Sequence, residues 1–316
     1  MAENSGEKFN DLGLGTKATS STQRSLNKDG SFNVKRINVP FSERINFYHT
    51  LVTMPWTKFF VLIISGYFFV NLLFASIYIW VGIEHLTGIE ATTDFGKYLE
   101  AFFFSSQTLT TVGYGRIAPV GTLASSVAAV ESMLGLLSFA LATGLLYGRF
   151  SRPETKITYS SNAVISPYRN INGFMFRVVN PRDNQLLEVE VNVTLSMKRK
   201  DSTLRDFFQL ELERTKVVFL PMMWTIVHPI NTSSPLLNLT EKDLGEKDPE
   251  FIIMIKAFDE TFSQTVYSRS SYKANEIKWG EKFVYVIQQQ NEGVIVDVGR
   301  IDETEKAELN KVAVLA

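Results

Sequence analysis

From Phe59 to Ile83 the chain carries no charged side chain. A run of about 25 such residues is long enough to cross a hydrocarbon core with some tilt. Trp56 and Trp80 bracket it, as amphipathic rings do at membrane interfaces. A second apolar stretch runs from Ile117 to Gly148, is rich in Gly, Ala and Ser, and carries one charge, Glu131. Small residues let helices approach closely in a bilayer. A carboxylate facing lipid is costly, so Glu131 is expected to face protein or a water-filled space.

The flanks set the orientation. Lys35, Arg36, Arg44 and Lys58 precede the first span, and Arg149, Arg152 and Lys156 follow the second. The bias toward basic flanks predicts both termini in the cytoplasm. Between the spans lie Glu84, Glu90, Asp94 and Glu100 against Lys97 and Arg116. The same segment holds Tyr98–Thr110, a helical stretch too short to cross a membrane, and then Thr111-Val112-Gly113-Tyr114-Gly115. Irregular backbone at membrane depth is tolerated only where it is buried in protein or lines a water-filled path.

This five-residue stretch suits a dehydrated cation. Successive backbone carbonyls can replace an ion's hydration shell if they all point inward, and alternate residues must then take left-handed backbone angles. Gly113 and Gly115 reach these angles without steric cost. Thr111 adds a hydroxyl at the inner end, and Val112 and Tyr114 turn outward to pack. Thr111–Gly115 resembles the selectivity filter of the potassium-channel superfamily, with K+ held at Thr111, Val112, Gly113 and Tyr114. One chain carries one such strand, so a closed ring implies a homotetramer.

Composition excludes other classes. The net charge of -1 argues against a nucleic-acid partner. The absence of cysteine excludes disulfides, thiolate zinc sites and a cysteine nucleophile. His49, His85 and His228 are too scattered for a metal site, and a structural role is preferred for His228 over pH sensing. No nucleophile–base constellation suggests an enzyme. The polar first 40 residues read as a flexible cytoplasmic segment; their Gly13-Leu14-Gly15-Thr16-Lys17-Ala18 lacks the strand and helix that a nucleotide loop requires. Residues 41–56 read as an amphipathic helix on the inner membrane surface, with Phe41, Ile45, Tyr48 and Val52 on one face.

After Arg152-Pro153 the periodicity changes to two. Leu187, Val189, Val191, Val193, Leu195 and Met197 alternate with Glu188, Glu190, Asn192, Thr194 and Ser196, which predicts a half-buried strand. Further short strands separated by turn residues suggest a β-sandwich over 154–316. The predicted organisation is therefore a pore domain over 57–153, with spans 59–83 and 117–148, followed by that sandwich.

"DGSFNVKR", "FFFSSQTLTTVGYG", "GRFSRP", "VHPINTSSPL" and "RSSYKANEIKWG" together resemble the prokaryotic inward-rectifier potassium channels of the KirBac type. That resemblance implies a two-transmembrane-helix pore with a re-entrant pore helix and an immunoglobulin-like cytoplasmic β-sandwich. It implies a passive K+ conductor with no organic cofactor, a multi-pass protein of a bacterial inner membrane. It assigns Phe139 to the cavity position where strong rectifiers carry an acid, and Tyr147 to the gate. It makes Gly135 and Gly144 hinge candidates. Glu188 and Glu260 match acids of the cytoplasmic pore, and Arg149, Arg152 and Lys156 match a lipid-contacting cluster. Filter support falls to Gln107, where many relatives carry Glu, and to Glu131. Anionic lipid headgroups, phosphoinositides among them, and polyamine or Mg2+ blockers are the implied partners, with weak polyamine block because Phe139 has no charge. The competing expectation is a membrane-anchored cytoplasmic binding or sensor module with a vestigial pore.

Overall fold

A computed structural model describes residues 8–9, 24–34, 37–38, 40, 46–152, 156–199, 204–220, 223–290 and 293–311. The chain divides into two compact units. One spans Asn38–Arg152, and the other comprises the described residues before and after it.

Helices α1 (Phe47–Thr53), α2 (Trp56–Val81), α3 (Asp94–Leu109) and α4 (Thr122–Phe150) build the first unit. The Asn46 side chain caps α1 by accepting from the His49 amide, and Pro55 separates α1 from α2. The amphipathic helix is thus shorter than the 41–56 predicted; residues 41–45 lie outside the described residues. Among the described residues, α2 and α4 are the two helices long and apolar enough to cross a membrane. At 26 and 29 residues they measure about 39 and 43 Å.

The boundaries shift from the predicted ones for local reasons. Helix α2 ends at Gly82, whose φ of 115° no helical residue adopts. Helix α3 begins four residues before Tyr98 because Thr93 caps it, accepting from the Gly96 amide, with Asp94 in its first turn. Residues 117–121 do not belong to the second span. Ala118–Pro119 pairs with Leu86–Thr87, and Gly121 turns the chain at φ 84° before α4 starts. Phe74, Ala75 and Tyr78 of α2 pack with Ala101 and Phe104 of α3 and with Ile117.

The second unit is a two-layer β-sandwich. Its strands are β1 (Ala163–Tyr168), β2 (Ile171–Val179), β3 (Leu186–Lys198), β4 (Arg205–Gln209), β5 (Lys216–Phe219), β6 (Met223–Ile230), β7 (Glu250–Asp259), β8 (Gln264–Lys273) and β9 (Ile277–Trp279). One sheet runs β4-β3-β7-β8, with β5 also on β3 and Lys8–Phe9 on the free edge of β4. The other runs β6-β2-β1-β9, with Thr158–Tyr159 on β2. The interior is filled from both sheets by residues such as Phe174, Phe176, Val191, Leu195, Phe251 and Ile255.

Three sequence expectations change here. The alternation on β3 holds from Val189 to Met197 but not before it: Leu186, not Leu187, enters the core. A β-bulge at Glu188, φ 47°, inserts one residue against β7 and reverses the facing of what precedes it. Thr194 and Ser196, expected on a solvated face, are buried; the buried Arg205 guanidinium takes Ser196 as a partner. Finally, residues 24–33 are not a flexible tail. Leu26 is 1% exposed and bridges Phe32, Glu250 accepts from the amides of Ser25 and Leu26, and the Ser271 hydroxyl donates to the Leu26 carbonyl.

Candidate ion pathway

Thr111 to Gly115 follow α3 directly and hang from its last turn. The amides of Val112 and Gly113 both donate to the Gln107 carbonyl, at 2.9 and 3.3 Å, and the Thr111 amide donates to Thr108 at 3.1 Å. Thr111, Gly113 and Gly115 lie at φ 60, 53 and 83°. Every second residue is therefore left-handed. A Cβ added at Gly113 or Gly115 would meet nothing within 4 Å of its own chain. Backbone hand, not lack of room, is the demand these two glycines meet. Thr111 takes the same hand without being glycine, at a cost of about 1–3 kcal/mol for a side chain of this kind. Residue type conceals that position, which only the alternation of its neighbours betrays.

Hydrogen bonds to one buried carboxylate join α2, α3 and α4. Glu131 of α4 is fully buried; the Tyr78 hydroxyl of α2 donates to its Oε2 at 2.7 Å, and the Ser105 hydroxyl of α3 bonds its Oε1. The Ser105 oxygen also lies 3.1 Å from Asn71 Oδ1, and Asn71 Nδ2 donates to the Tyr67 carbonyl at 2.7 Å. One carboxylate thus ties three helices together, with all its partners uncharged. Gln107 reaches the filter through its main chain.

Gly135 has a different part from a simple bend. A Cβ there would stand 1.9 Å from the Leu109 carbonyl oxygen, so glycine is what lets α4 lie against the end of α3. Helix α4 is continuous across it. At Gly144 a Cβ would meet nothing within 4 Å of its own chain. Phe139 helps line an apolar cleft of about 710 Å³ between α2 and α4, formed by Leu62, Ile63, Gly66, Tyr67 and Val70 on one side, by Gly135, Leu136, Ser138 and Ala142 on the other, and closed by Leu109, Thr110 and Thr111. Phe139, Thr143 and Tyr147 follow at i, i+4 and i+8 on one exposed face of α4.

Arg149 is not the free lipid-facing charge its sequence position suggests. It is 8% exposed, and its guanidinium donates to the carbonyls of Leu51 at 2.5 Å and Met54 at 2.7 Å. It lies over the rings of Trp56 and Phe59, 4.4 and 4.6 Å from their centroids. The cause is the end of α1: its last carbonyls have no intrahelical donors and carry partial negative charge, which a guanidinium fork satisfies. Arg152 and Lys156 are exposed.

In the sandwich, Glu188 sits on its bulge with its carboxylate 3.5 Å from Lys216. Glu260 is not on a strand face but in the turn between β7 and β8, where its amide donates to Gln185. That bond brings it to the end of the sheet from which β3 and Glu188 start. His228 is buried between the Glu211 carbonyl, 2.6 Å from Nδ1, and the Ser234 hydroxyl, 2.8 Å from Nε2. A carbonyl can only accept, so Nδ1 carries the proton, and the neutral ring accepts from Ser234 through Nε2. Burial pushes its pKa below the ordinary value, which fits a structural residue.

Residues 157–315 match the family described as inward rectifier potassium channel C-terminal domain, and residues 57–152 match the family described as ion channel. The chain is 34% identical over 296 residues to the inward rectifier potassium channel Kirbac3.1 of Paramagnetospirillum magnetotacticum, an alignment covering 92% of this chain and 98% of that one. This chain belongs to the prokaryotic inward-rectifier potassium channels. Similarity extends to the G protein-activated inward rectifier potassium channel 2 of mouse and of human, each 28% identical over 309 residues, 89% of this chain and 72% of theirs. A potassium channel of this family is an integral membrane protein whose permeant ion is K+, and it is not an enzyme. In this inward rectifier, the apolar helices and the Thr111–Gly115 stretch fall in the ion-channel match, and the sandwich falls in the C-terminal match.

Proposed function

We propose that four copies of this chain surround one pore, with Thr111–Gly115 of each lining its narrow part and K+ held at Thr111, Val112, Gly113 and Tyr114. The observation that carries this reading is the alternating hand at Thr111, Gly113 and Gly115. Alternation turns successive peptide planes the same way, so that carbonyls from four strands can form successive rings. Helix α3 ends at Leu109, just before Thr111, and the negative end of its dipole favours a cation beside the inner end of that strand. Phe139, on the exposed face of α4, takes the rectification position. Tyr147 is the gate, where four rings dewet a narrow passage. Gly144, where an added Cβ would meet nothing of its own chain, is the better hinge. Glu188 and Glu260 line the cytoplasmic continuation of the pore, and Arg152 and Lys156 meet anionic headgroups. Both termini are cytoplasmic, and the membrane is a bacterial inner membrane.

Rubidium uptake into liposomes tests the reading. Wild type takes up rubidium and is blocked by barium, a divalent ion of similar size to K+ that rests at the Thr111 oxygens. Thr111→Ala weakens barium block. Barium-insensitive uptake by wild type contradicts the assignment, and no uptake at all favours a vestigial pore. Tyr147→Ala raises resting uptake; unchanged uptake by an assembled variant moves the gate elsewhere.

A further inference from the structure

The outer end of the filter is held by a pair of residues that no family motif supplied. Arg116 follows Gly115 directly. Its guanidinium donates twice to Glu100 Oε1, from Nη1 at 3.1 Å and Nη2 at 3.2 Å, and Nη1 also donates to the Gly88 carbonyl at 3.1 Å. Glu100, on α3, uses its other oxygen to accept from the amides of Glu90 at 2.9 Å and Ala91 at 3.3 Å. At Gly88, φ 85°, a Cβ would stand 1.8 Å from the Arg116 carbonyl oxygen, so the two backbones touch. Leu86–Thr87 pairs with Ala118–Pro119 alongside, and the Val120 amide donates to His85. A single carboxylate–guanidinium pair therefore joins three segments: the loop over 83–91, the helix beneath the filter, and the strand leaving it.

The charges bear on the ion as well as on the fold. Glu100 is largely shielded and Arg116 half-exposed. An arginine next to the last filter residue of each chain would set a ring of positive charge at the mouth that cations enter. The Glu100 carboxylate, bonded on both edges, cancels it locally.

We propose that the Glu100–Arg116 pair positions the outer end of the filter and sets the electrostatics of cation entry there; this rests on the reading of Thr111–Gly115 as the filter. Glu100→Gln leaves an uncompensated guanidinium at each mouth, and Arg116→Gln leaves an uncompensated carboxylate. A purely structural pair would shift both variants in the same direction. An electrostatic one shifts them in opposite directions.

The test is barium block of rubidium uptake, with barium applied at low ionic strength on the face carrying residues 83–91. Barium-sensitive uptake by wild type establishes the filter reading independently; without it, that reading fails before the pair is tested. Glu100→Gln is expected to weaken block, and Arg116→Gln to strengthen it, each by about threefold or more. The double variant returns toward wild type in barium affinity, while all three variants are expected to leak sodium, because the pair that positions the outer end of the filter is lost in each. Shifts of the same sign, or no shift in assembled variants, overturn the proposal. If one single variant fails to assemble, the other carries the test through the sign of its shift. Failure of both to assemble makes the pair a folding element and overturns it as well.

Discussion

Gly135 and Gly144 lie on the same helix, and the structure predicts opposite outcomes for the same substitution. In Gly135→Ala the new methyl begins 1.9 Å from the Leu109 carbonyl oxygen, and ordinary contact begins at 3.4 Å. Helix α4 must retreat by about 1.5 Å from the end of α3, or the backbone at the filter's foot must give way. Overpacking of this kind costs about 1–3 kcal/mol, and a clash with backbone belongs at the upper end. Replacing a mid-helix glycine returns up to about 1 kcal/mol. The net is a loss of about 2 kcal/mol per chain. Gly144→Ala meets nothing of its own chain and there keeps only the gain. Oligomer melting followed by size-exclusion chromatography should therefore fall by several degrees for Gly135→Ala and stay level or rise for Gly144→Ala. Rubidium uptake separates packing from bending: Gly144→Ala, stable but stiffer, should conduct less if that residue is the hinge. Wild-type melting and wild-type uptake in Gly135→Ala would refute the close-packing argument.

Other substitutions test other parts of the account. Arg149→Gln removes charge-assisted bonds to Leu51 and Met54, each worth about 1.5–3 kcal/mol, and should expose residues 46–55 to protease; Arg149→Lys rescues only in part, and protection unchanged in the Gln variant would show that α1 does not depend on the clamp. If Phe139 faces the pore, Phe139→Asp adds a carboxylate per chain there and should strengthen voltage-dependent spermine block by about tenfold or more; unchanged affinity would mean that it does not face the pore. Because burial lowers the pKa of His228, the unfolded chain binds its proton first as pH falls. Stability should therefore be lost on acidification from 6.5 down to the lowered native value and be fully present above that window. His228→Gln should flatten the thermal-melt profile there, and an unchanged slope would assign the pH response to other groups.

Much of the architecture is legible in residue order because the bilayer leaves few alternatives. Two apolar runs of this length that carry a single charge in all, a short helix in the connecting segment and the Thr111–Gly115 stretch point to a pore with a re-entrant loop. What the sequence conceals is two-body geometry. The role of Arg149 depends on where the carbonyls at the end of α1 come to lie, about 100 residues earlier, and a basic residue beside a span reads equally as a lipid contact. Gly135 reads as a bend because the Leu109 carbonyl that excludes a side chain is remote in sequence. The bulge at Glu188 is hidden because Leu186 and Leu187 are both leucine, so a one-residue slip leaves the alternation intact to the eye. For Tyr78 and Ser105 nothing in the sequence singles out these hydroxyls from Tyr67, Ser76 or Ser106 on the same two helices.

The central claim is that the backbone hand at Gly113 makes the potassium site. The most direct measurement is the potassium-to-sodium flux ratio in liposomes for wild type, for Gly113→Ala, and for a semisynthetic protein with D-alanine at position 113. The φ of 53° is costly for an L-residue and natural for a D-residue, and no neighbour within the chain blocks the methyl group. The account predicts selective flux in wild type and in the D-alanine protein, and its loss in the L-alanine protein. Equal selectivity in the L- and D-alanine proteins would contradict it.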